Sequence, residues 1–182
     1  MIVKPTVMFD GSAFDAQHGV LTEIFIPAVH EPTPVAVCEY LLARVPADFV
    51  ERATFVDVGS GMGRVVLLAA QYAYRRVVGV ERRRRLFATS RENVAIATGL
   101  LRKTGRLELI NCDITEYAWP AGDLVIFMFN PFGPALVRDT LARALESRTD
   151  RDRVKLLFYP TAYAPSCARI DTISLPNKED VS

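Results

Sequence analysis

Asp57-Val58-Gly59-Ser60-Gly61-Met62-Gly63 is the stretch of this sequence that decides its fold. It follows a short β-rich run at 54–58 and precedes an apolar segment of helical spacing at 65–72. Glycine allows a tight turn and the close approach of a ligand, and the start of a helix presents unpaired N–H groups. The stretch therefore predicts a strand, a tight turn and a helix around a small-molecule site.

Strand-like and helix-like segments alternate along the rest of the chain. The sequence predicts further strands at 77–81, 107–110, 124–129 and 154–159, and helices over roughly 84–98 and 133–148. The helix over 84–98 is expected to carry Phe87, Val94, Ala97 and Leu101 on one apolar face. This alternation predicts an α/β fold with a doubly wound, mostly parallel, Rossmann-like sheet. Its expected strand order is 3-2-1-4-5, which brings the ends of strands 1 and 4 to one crevice.

The chain is expected to form a single domain, because 182 residues leave no room for a second large one. Residues 1–32 are interrupted by proline and glycine and are predicted to be an irregular N-terminal arm. The core is assigned to 33–160, beginning with a helix capped by Thr33 with Pro34 as its first residue. Residues 161–182 are a short C-terminal segment with room for one strand, so we expect either a sheet abbreviated at its C-terminal hairpin or a truncated chain.

Composition and charge exclude several classes of protein. Half of the residues are hydrophobic, which excludes a wholly disordered chain. The net charge is +1, so a partner recognised mainly through phosphates, such as a nucleic acid, is not indicated. The three cysteines are far apart, and neither a disulfide framework nor a metal-ligand set is visible. Without a long apolar run or a signal peptide in the sequence, we expect a cytoplasmic protein with no membrane partner.

Two histidines and a run of arginines carry no catalytic pattern. His18 and His30 lie in the predicted arm, with no acid or nucleophile at a telling spacing, and are expected to be surface residues. The arginines at 82–85 are expected to begin a solvated helix.

A nucleotide cofactor of either of two classes would suit the glycine stretch. The dinucleotide fingerprint G-x-G-x-x-G needs glycine or alanine at position 64, where this chain has Arg64. Glu81, at the end of the second strand, is placed to accept hydrogen bonds from two ribose hydroxyls, a feature that both cofactor classes share. The arginine therefore argues against a dinucleotide, whereas Glu81 does not choose between the classes.

The glycine stretch resembles the first motif, D-x-G-x-G-x-G, of the class I S-adenosylmethionine-dependent methyltransferases. The resemblance implies that Glu81 holds the cofactor ribose and that Asp113, with the adjoining Ile114, lies at the adenine. It also implies that backbone amides of the glycine stretch hold the methionine part. The cofactor-binding residues implied by this motif are Asp57, Gly59, Ser60, Gly61 and Gly63.

The segment Asn130-Pro131-Phe132-Gly133 resembles the [D/N/S]-P-P-[Y/F] motif of amino-directed methyltransferases, but lacks the second proline. It is closer to the asparagine–phenylalanine–glycine segment of the non-SET histone-lysine methyltransferases. The resemblance implies that the Asn130 oxygen and the Pro131 carbonyl accept hydrogen bonds from the acceptor nitrogen, while Phe132 excludes water. Asn130 also borders the implied cofactor pocket. A strand-ending turn is the alternative interpretation of this segment.

The same resemblance suggests a role for Glu31-Pro32-Thr33-Pro34, because that family has an acidic loop over the cofactor at this position. Glu31 and Thr33 are accordingly predicted cofactor contacts, although helix capping alone would account for Thr33. The resulting hypothesis is a methyltransferase that uses S-adenosylmethionine and acts on an unidentified protein or small-molecule acceptor, with an amine nitrogen favoured. The alternatives are a non-catalytic S-adenosylmethionine-binding module and a nucleotide-dependent oxidoreductase. The sequence leaves open how an acceptor amine is deprotonated and which oligomer forms.

Overall fold

The computed structural model describes residues 11–26, 30–97, 106–130, 133–146, 148 and 153–159, and the backbone of 169–171. Its helices are α1 (Gly11–His18), α2 (Val35–Leu42), α3 (Ala47–Val50), α4 (Arg64–Ala69), α5 (Arg84–Ile96) and α6 (Pro134–Glu146). Its strands are β1 (Thr54–Val58), β2 (Arg76–Val80), β3 (Leu107–Ile110), β4 (Leu124–Phe129), β5 (Val154–Tyr159) and β6 (Arg169–Asp171). Within these residues, no helix is long and apolar enough to cross a membrane.

The strands form one sheet in the order β3-β2-β1-β4-β5-β6. The first five are parallel, and β6 pairs antiparallel with β5. Because β1 lies between β2 and β4, the glycine stretch after β1 and Asn130 after β4 leave the sheet side by side. This is the switch point at which doubly wound folds bind ligands. The predicted fold class and strand order are confirmed.

Apolar strands give the sheet a hydrophobic layer on each face. All five residues of β1 are buried, and so are the first five of β4. On one face, Phe55 and Phe127 pack with α2, α3 and α4. On the other, Val56 and Ile126 pack against α6 and the segment 114–119. A central parallel strand contributes alternate residues to both layers, which explains its continuous apolar run.

The predicted irregular arm is wrong in one part, because it contains α1 and contributes to the core. Phe14 of α1 and Val20 join the cluster on the first face of the sheet. Asp15 accepts hydrogen bonds from the backbone N–H groups of Thr22 and Glu23, which folds the chain back after α1. The helix buries only Gly11 and Phe14, so its sequence carries no apolar stripe that would predict it.

Two helix details also differ from the sequence prediction. The N-cap of α2 is Pro34, with no side-chain cap, whereas Thr33 is buried and its carbonyl accepts a hydrogen bond from Arg64. The buried residues of α5 are Leu86, Ser90 and Asn93. A search for apolar spacing misses this inward face because two of its three members are polar. Of the predicted apolar face, Ala97 is buried, Phe87 and Val94 are half-buried, and Leu101 lies outside the described residues.

Candidate functional site

A cavity of about 240 Å³ lies at the carboxyl ends of β1, β2 and β4. It brings together residues from distant parts of the sequence, among them His30, Glu31, Gly59, Glu81, Asp113, Ile114 and Asn130. A smaller cavity of about 30 Å³ shares His30, Glu31 and Gly59 with it and extends to Thr33, Asp57 and Ser60. A concave site with a few convergent polar groups is the usual form of a small-molecule pocket. Nine of the eleven predicted cofactor residues therefore line one or both of these cavities, whereas Gly61 and Gly63 line neither.

Glu81 is a buried carboxylate at the end of β2, with 5% of the residue exposed. Its Oε2 accepts a hydrogen bond from the Gly61 N–H at 3.0 Å, and its Oε1 accepts one from the Arg83 N–H at 2.7 Å. The Asn111 amide donates to the Glu81 carbonyl at 2.7 Å. Each carboxylate oxygen can accept more than one hydrogen bond. Glu81 thus fixes the glycine stretch and keeps acceptor capacity toward the cavity.

Asp57 is the second buried carboxyl group of the site. Only 3% of the residue is exposed, and its Oδ2 has no hydrogen-bond partner within the described part of the chain. Burial, and after it the negative charge of Glu81, raises the pKa of Asp57 well above its usual value. A protonated carboxyl can donate a hydrogen bond, which an ionised one cannot. The raised pKa favours the neutral form of the Asp57 carboxyl.

The glycines shape the site through their backbone conformation. Gly59, Gly61 and Gly63 have φ values of 79°, 53° and 90°, in the left-handed region that favours glycine. A Cβ on Gly59 would meet nothing within 4 Å, so open space lies beside this residue. A Cβ on Gly61 would come within 2.4 Å of the His30 ring.

The backbone amides of this stretch are already engaged with the protein. Those of Gly59 and Ser60 donate to the Val80 carbonyl, and that of Gly63 donates to the Ser60 carbonyl. The Gly61 amide donates to Glu81. The predicted role of the amides of the glycine stretch, to hold the methionine part of the cofactor, stays a prediction. The open space beside Gly59 is what the glycines supply to the cavity.

Asp113 lines the cavity from the segment that follows β3. Its Oδ1 accepts hydrogen bonds from the N–H and the hydroxyl of Thr115, at 3.0 and 2.8 Å. These bonds, and after them the charge of Arg82 at 3.6 Å, lower the pKa of Asp113. Ile114 beside it is buried. The pair thus presents a carboxylate next to an apolar surface.

Asn130 occupies a constrained position at the end of β4. Its φ of 41° is the one positive value recorded for a non-glycine residue in the described chain, and its N–H donates to the Tyr159 carbonyl at 2.9 Å. Its Nδ2 donates to Glu31 Oε2 at 2.7 Å. The predicted roles of Pro131 and Phe132 lie outside the described residues. Asn130 therefore meets the predicted N-terminal contact Glu31 directly.

Arg64 holds the N-terminal cover, defined here as residues 20–26 and 30–33, onto the glycine stretch. The arginine is 4% exposed. Its guanidinium donates to the Thr22 hydroxyl at 2.8 Å and the Thr33 carbonyl at 2.9 Å, and it pairs with Glu23. Sequence reasoning used Arg64 only as evidence against a dinucleotide. An arginine within an otherwise apolar helix, α4, was the available signal of a buried anchor.

The prediction that His30 is a surface residue is wrong. Its ring packs against Gly61 and lines both cavities. Burial, and after it the charges of Arg64 and Arg83, lowers the pKa of His30 to about 4, so the ring is neutral at pH 7. His18 instead makes an edge-to-face contact with Phe14. In the part of the chain that the structure describes, no three potential ligands group to hold a metal ion.

Comparison by sequence identifies no relative of this chain. No protein-family model matches it. No curated protein is significantly similar to it.

Solved structures share the fold over most of the chain. An RNA methyltransferase from Salinibacter ruber in complex with S-adenosyl-L-homocysteine is 26% identical, covers 75% of this chain and 84% of its own, and superposes with a TM-score of 0.54. The precorrin 8W decarboxylase of Methanobacterium thermoautotrophicum is 22% identical over 73% of this chain and 67% of its own, with a TM-score of 0.53. The 23S rRNA methyltransferase ErmE is 16% identical over 69% of this chain and 46% of its own, with a TM-score of 0.52. With the strand order, these likenesses show that the chain has the Rossmann-like fold of the class I S-adenosylmethionine-dependent methyltransferases.

Proposed function

We propose that this protein is an S-adenosylmethionine-dependent methyltransferase that transfers a methyl group to an acceptor nitrogen. One observation carries the proposal: the buried Glu81 carboxylate ends β2 beside the glycine turn and lines the same cavity as Asn130. The fold and the S-adenosyl-L-homocysteine bound in the Salinibacter enzyme support the cofactor class.

The residues of the cavity fit this cofactor. Ribose hydroxyls need an acceptor, and Glu81 is a carboxylate held in place by two backbone N–H groups. Adenine has a flat apolar ring and an exocyclic amine, which Ile114 and Asp113 match. The open space at Gly59 leaves room for backbone approach, and the smaller cavity extends from there to Asp57, Ser60 and Thr33. We assign the cofactor to these residues.

Positioning is the main demand of the reaction. The sulfonium of S-adenosylmethionine supplies an already activated methyl group. Holding an acceptor in line with that methyl group can lower the barrier by several kcal/mol. Asn130, at the end of β4, is proposed to accept a hydrogen bond from the acceptor nitrogen through its side-chain oxygen. The cover residues His30 and Glu31 also line the cavity.

The proposed acceptor is an amine nitrogen, and the proposed branch of the family is the one that contains the non-SET histone-lysine methyltransferases. The Asn130-Pro131-Phe132-Gly133 segment favours an amine acceptor, on its similarity to the non-SET histone-lysine methyltransferases. RNA is the acceptor class of the Salinibacter enzyme. The net charge of +1 in this chain favours a protein or small molecule instead.

Two alternative functions would make different demands on the site. A nucleotide-dependent oxidoreductase would need a turn that binds a pyrophosphate, with glycine or alanine at position 64. This chain has Arg64 there, and its guanidinium makes three bonds with the cover. A non-catalytic binding module would keep the cofactor site and lack turnover. The constrained Asn130 beside the cofactor cavity favours the enzyme over the module.

Titration calorimetry tests the cofactor proposal directly. S-adenosylmethionine and S-adenosylhomocysteine should bind with one site per chain, and NAD and NADP should give no heat. Glu81→Gln should weaken binding, whereas Glu108→Gln on β3, whose carboxylate pairs with Arg76 away from the cavity, should not. Binding of a dinucleotide with no response to S-adenosylmethionine would contradict the proposal. Transfer of a labelled methyl group to amine, protein and RNA acceptors then separates the enzyme from the binding module.

A further inference from the structure

We propose that Glu31 is a positioning residue for the acceptor, because it holds the Asn130 carboxamide in the one orientation that turns its oxygen toward the acceptor nitrogen. This inference rests on the proposed function and deepens it. The family resemblance predicts that Glu31 contacts the cofactor, whereas this inference assigns Glu31 to the positioning of the acceptor.

The contact itself sets the orientation of the amide. Glu31 Oε2 and Asn130 Nδ2 are 2.7 Å apart, although 99 residues separate them in the sequence. A carboxylate can only accept a hydrogen bond, so the amide must present its NH₂ group to Glu31. The carbonyl oxygen is the other branch of the same planar group and is directed away from Glu31. Without the carboxylate, both orientations of the amide would be open to Asn130.

The backbone of Asn130 leaves the side chain little other freedom. Its φ of 41° lies in the left-handed region, and its N–H is bonded to the Tyr159 carbonyl. These two constraints fix the direction in which the side chain leaves the chain. Strained positions of this kind persist where the surroundings hold them, and they cluster at functional sites. The hydrogen bond to Glu31 then sets the side-chain torsions of Asn130.

Glu31 is held in turn by both ends of its segment. On one side, His30 and Ile26 exchange two backbone hydrogen bonds of 2.8 Å. On the other side, the carbonyl of Thr33 accepts a hydrogen bond from the buried Arg64. The carboxylate therefore approaches Asn130 from a segment whose backbone is held by a bridge within the cover on one side and by the buried Arg64 on the other.

A binding experiment tests this without an identified acceptor. Sinefungin is an S-adenosylmethionine analogue that carries an amine in the region of the transferred methyl group, so it reports on the acceptor side of the site. S-adenosylhomocysteine has neither the transferred methyl group nor an amine at that position. The ratio of their dissociation constants, measured by calorimetry, isolates the contribution of the amine from that of the rest of the cofactor.

The variants form a cycle of Glu31→Ala, Asn130→Gly and the double change. Glycine suits the positive φ of Asn130, whereas alanine would be strained there. We expect Asn130→Gly to lower the preference for sinefungin by about five-fold, the worth of roughly one hydrogen bond. Glu31→Ala should lower it by about two-fold or more, because the amide can then adopt either orientation. Glu31→Ala should have no further effect once Asn130 is glycine, because Glu31 acts through that residue. The exposed Glu51, after α3, supplies the control Glu51→Ala, which should leave the ratio unchanged.

The outcomes separate the two proposals. An unchanged ratio in Glu31→Ala would overturn the positioning role. An equal loss in both backgrounds would also overturn it, because Glu31 would then act on the amine directly through its charge. If the unaltered protein binds neither compound, the proposed function itself fails. Thermal melts of each variant distinguish these results from misfolding. The affinity of each variant for S-adenosylhomocysteine should also stay within about three-fold of that of the unaltered protein.

Discussion

Replacing Arg64 with leucine should detach the N-terminal cover and thereby weaken the cofactor site. Leucine keeps an apolar stem in α4 but removes the guanidinium, which donates to Thr22 and Thr33 and pairs with Glu23. The Glu23 carboxylate, with 14% of its side chain exposed, would lose its cation. His30 and Glu31, which line the cavity, belong to the same cover.

The size of the effect follows from the burial of the pair. Breaking a buried ion pair by removing one partner costs about 3–5 kcal/mol. The lower end, about 3 kcal/mol, applies to Arg64 because Glu23 retains some access to water and the cover can open locally. Such a loss is a large part of the roughly 5–15 kcal/mol that stabilises a domain.

Two measurements check this prediction. Urea denaturation should show the loss in the free energy of unfolding, and hydrogen exchange should accelerate at the amides of Leu21, Thr22 and Glu23, which are bonded to Asn93 and Asp15. Affinity for S-adenosylmethionine should fall by about ten-fold or more, as expected if roughly half of the lost 3 kcal/mol opposes closure over the ligand.

The matched control is Arg106→Leu, because Arg106 pairs with Glu108 on the surface with 71% of its side chain exposed. This change should cost less than about 1 kcal/mol. An Arg64→Leu variant as stable as the control, with unchanged exchange in the cover, would refute the anchoring role of Arg64.

Three further predictions follow from the site. Glu81→Gln should weaken S-adenosylmethionine binding by about 1–3 kcal/mol in calorimetry and should also lower the melting temperature, because one of the two backbone N–H groups loses its acceptor and the other keeps only a neutral one. Equal affinity and stability would show that the carboxylate is dispensable. Gly61→Ala should lower the free energy of unfolding because the new Cβ meets the His30 ring. Adding His30→Ala should recover part of that loss and leave only the strain of a positive φ at position 61. No recovery would contradict the predicted contact. Because the pKa of His30 is about 4 in the folded protein and 6.5 in the unfolded chain, the unfolded state binds more protons between these values. The free energy of unfolding should therefore rise as the pH is raised from about 4 to about 6.5. In denaturation curves measured across this pH range, His30→Gln should show a smaller rise. An identical slope in the variant would show that His30 does not titrate in this way.

Much of the fold could be predicted because its signals are local. Strands β3, β4 and β5 begin and end where their apolar runs do, and the glycine stretch turns the chain between β1 and α4 as its composition requires. The order of the sheet follows from general rules of α/β connection. By contrast, α1 lacks an apolar stripe, and α5 turns Ser90 and Asn93 inward, so periodicity predicted neither feature.

The candidate site was predictable where one motif carries the chemistry. The glycine stretch, Glu81 and Asp113 follow neighbouring parallel strands, so their arrival at one cavity is a consequence of the topology. Their proposed roles toward the cofactor stay predictions.

The sequence by itself determined the α/β class, the strand order and the motif residues at the carboxyl edge of the sheet. Only the tertiary structure decided that Glu31 meets Asn130, that Arg64 anchors the cover and that His30 lies against Gly61. The physical reason is the range of each interaction. Strands, helices and turns depend on residues a few positions apart, so their patterns are visible in one chain. Contacts between the cover and the sheet depend on how separate segments pack and which buried donors and acceptors remain to be satisfied, and no local pattern encodes that pairing.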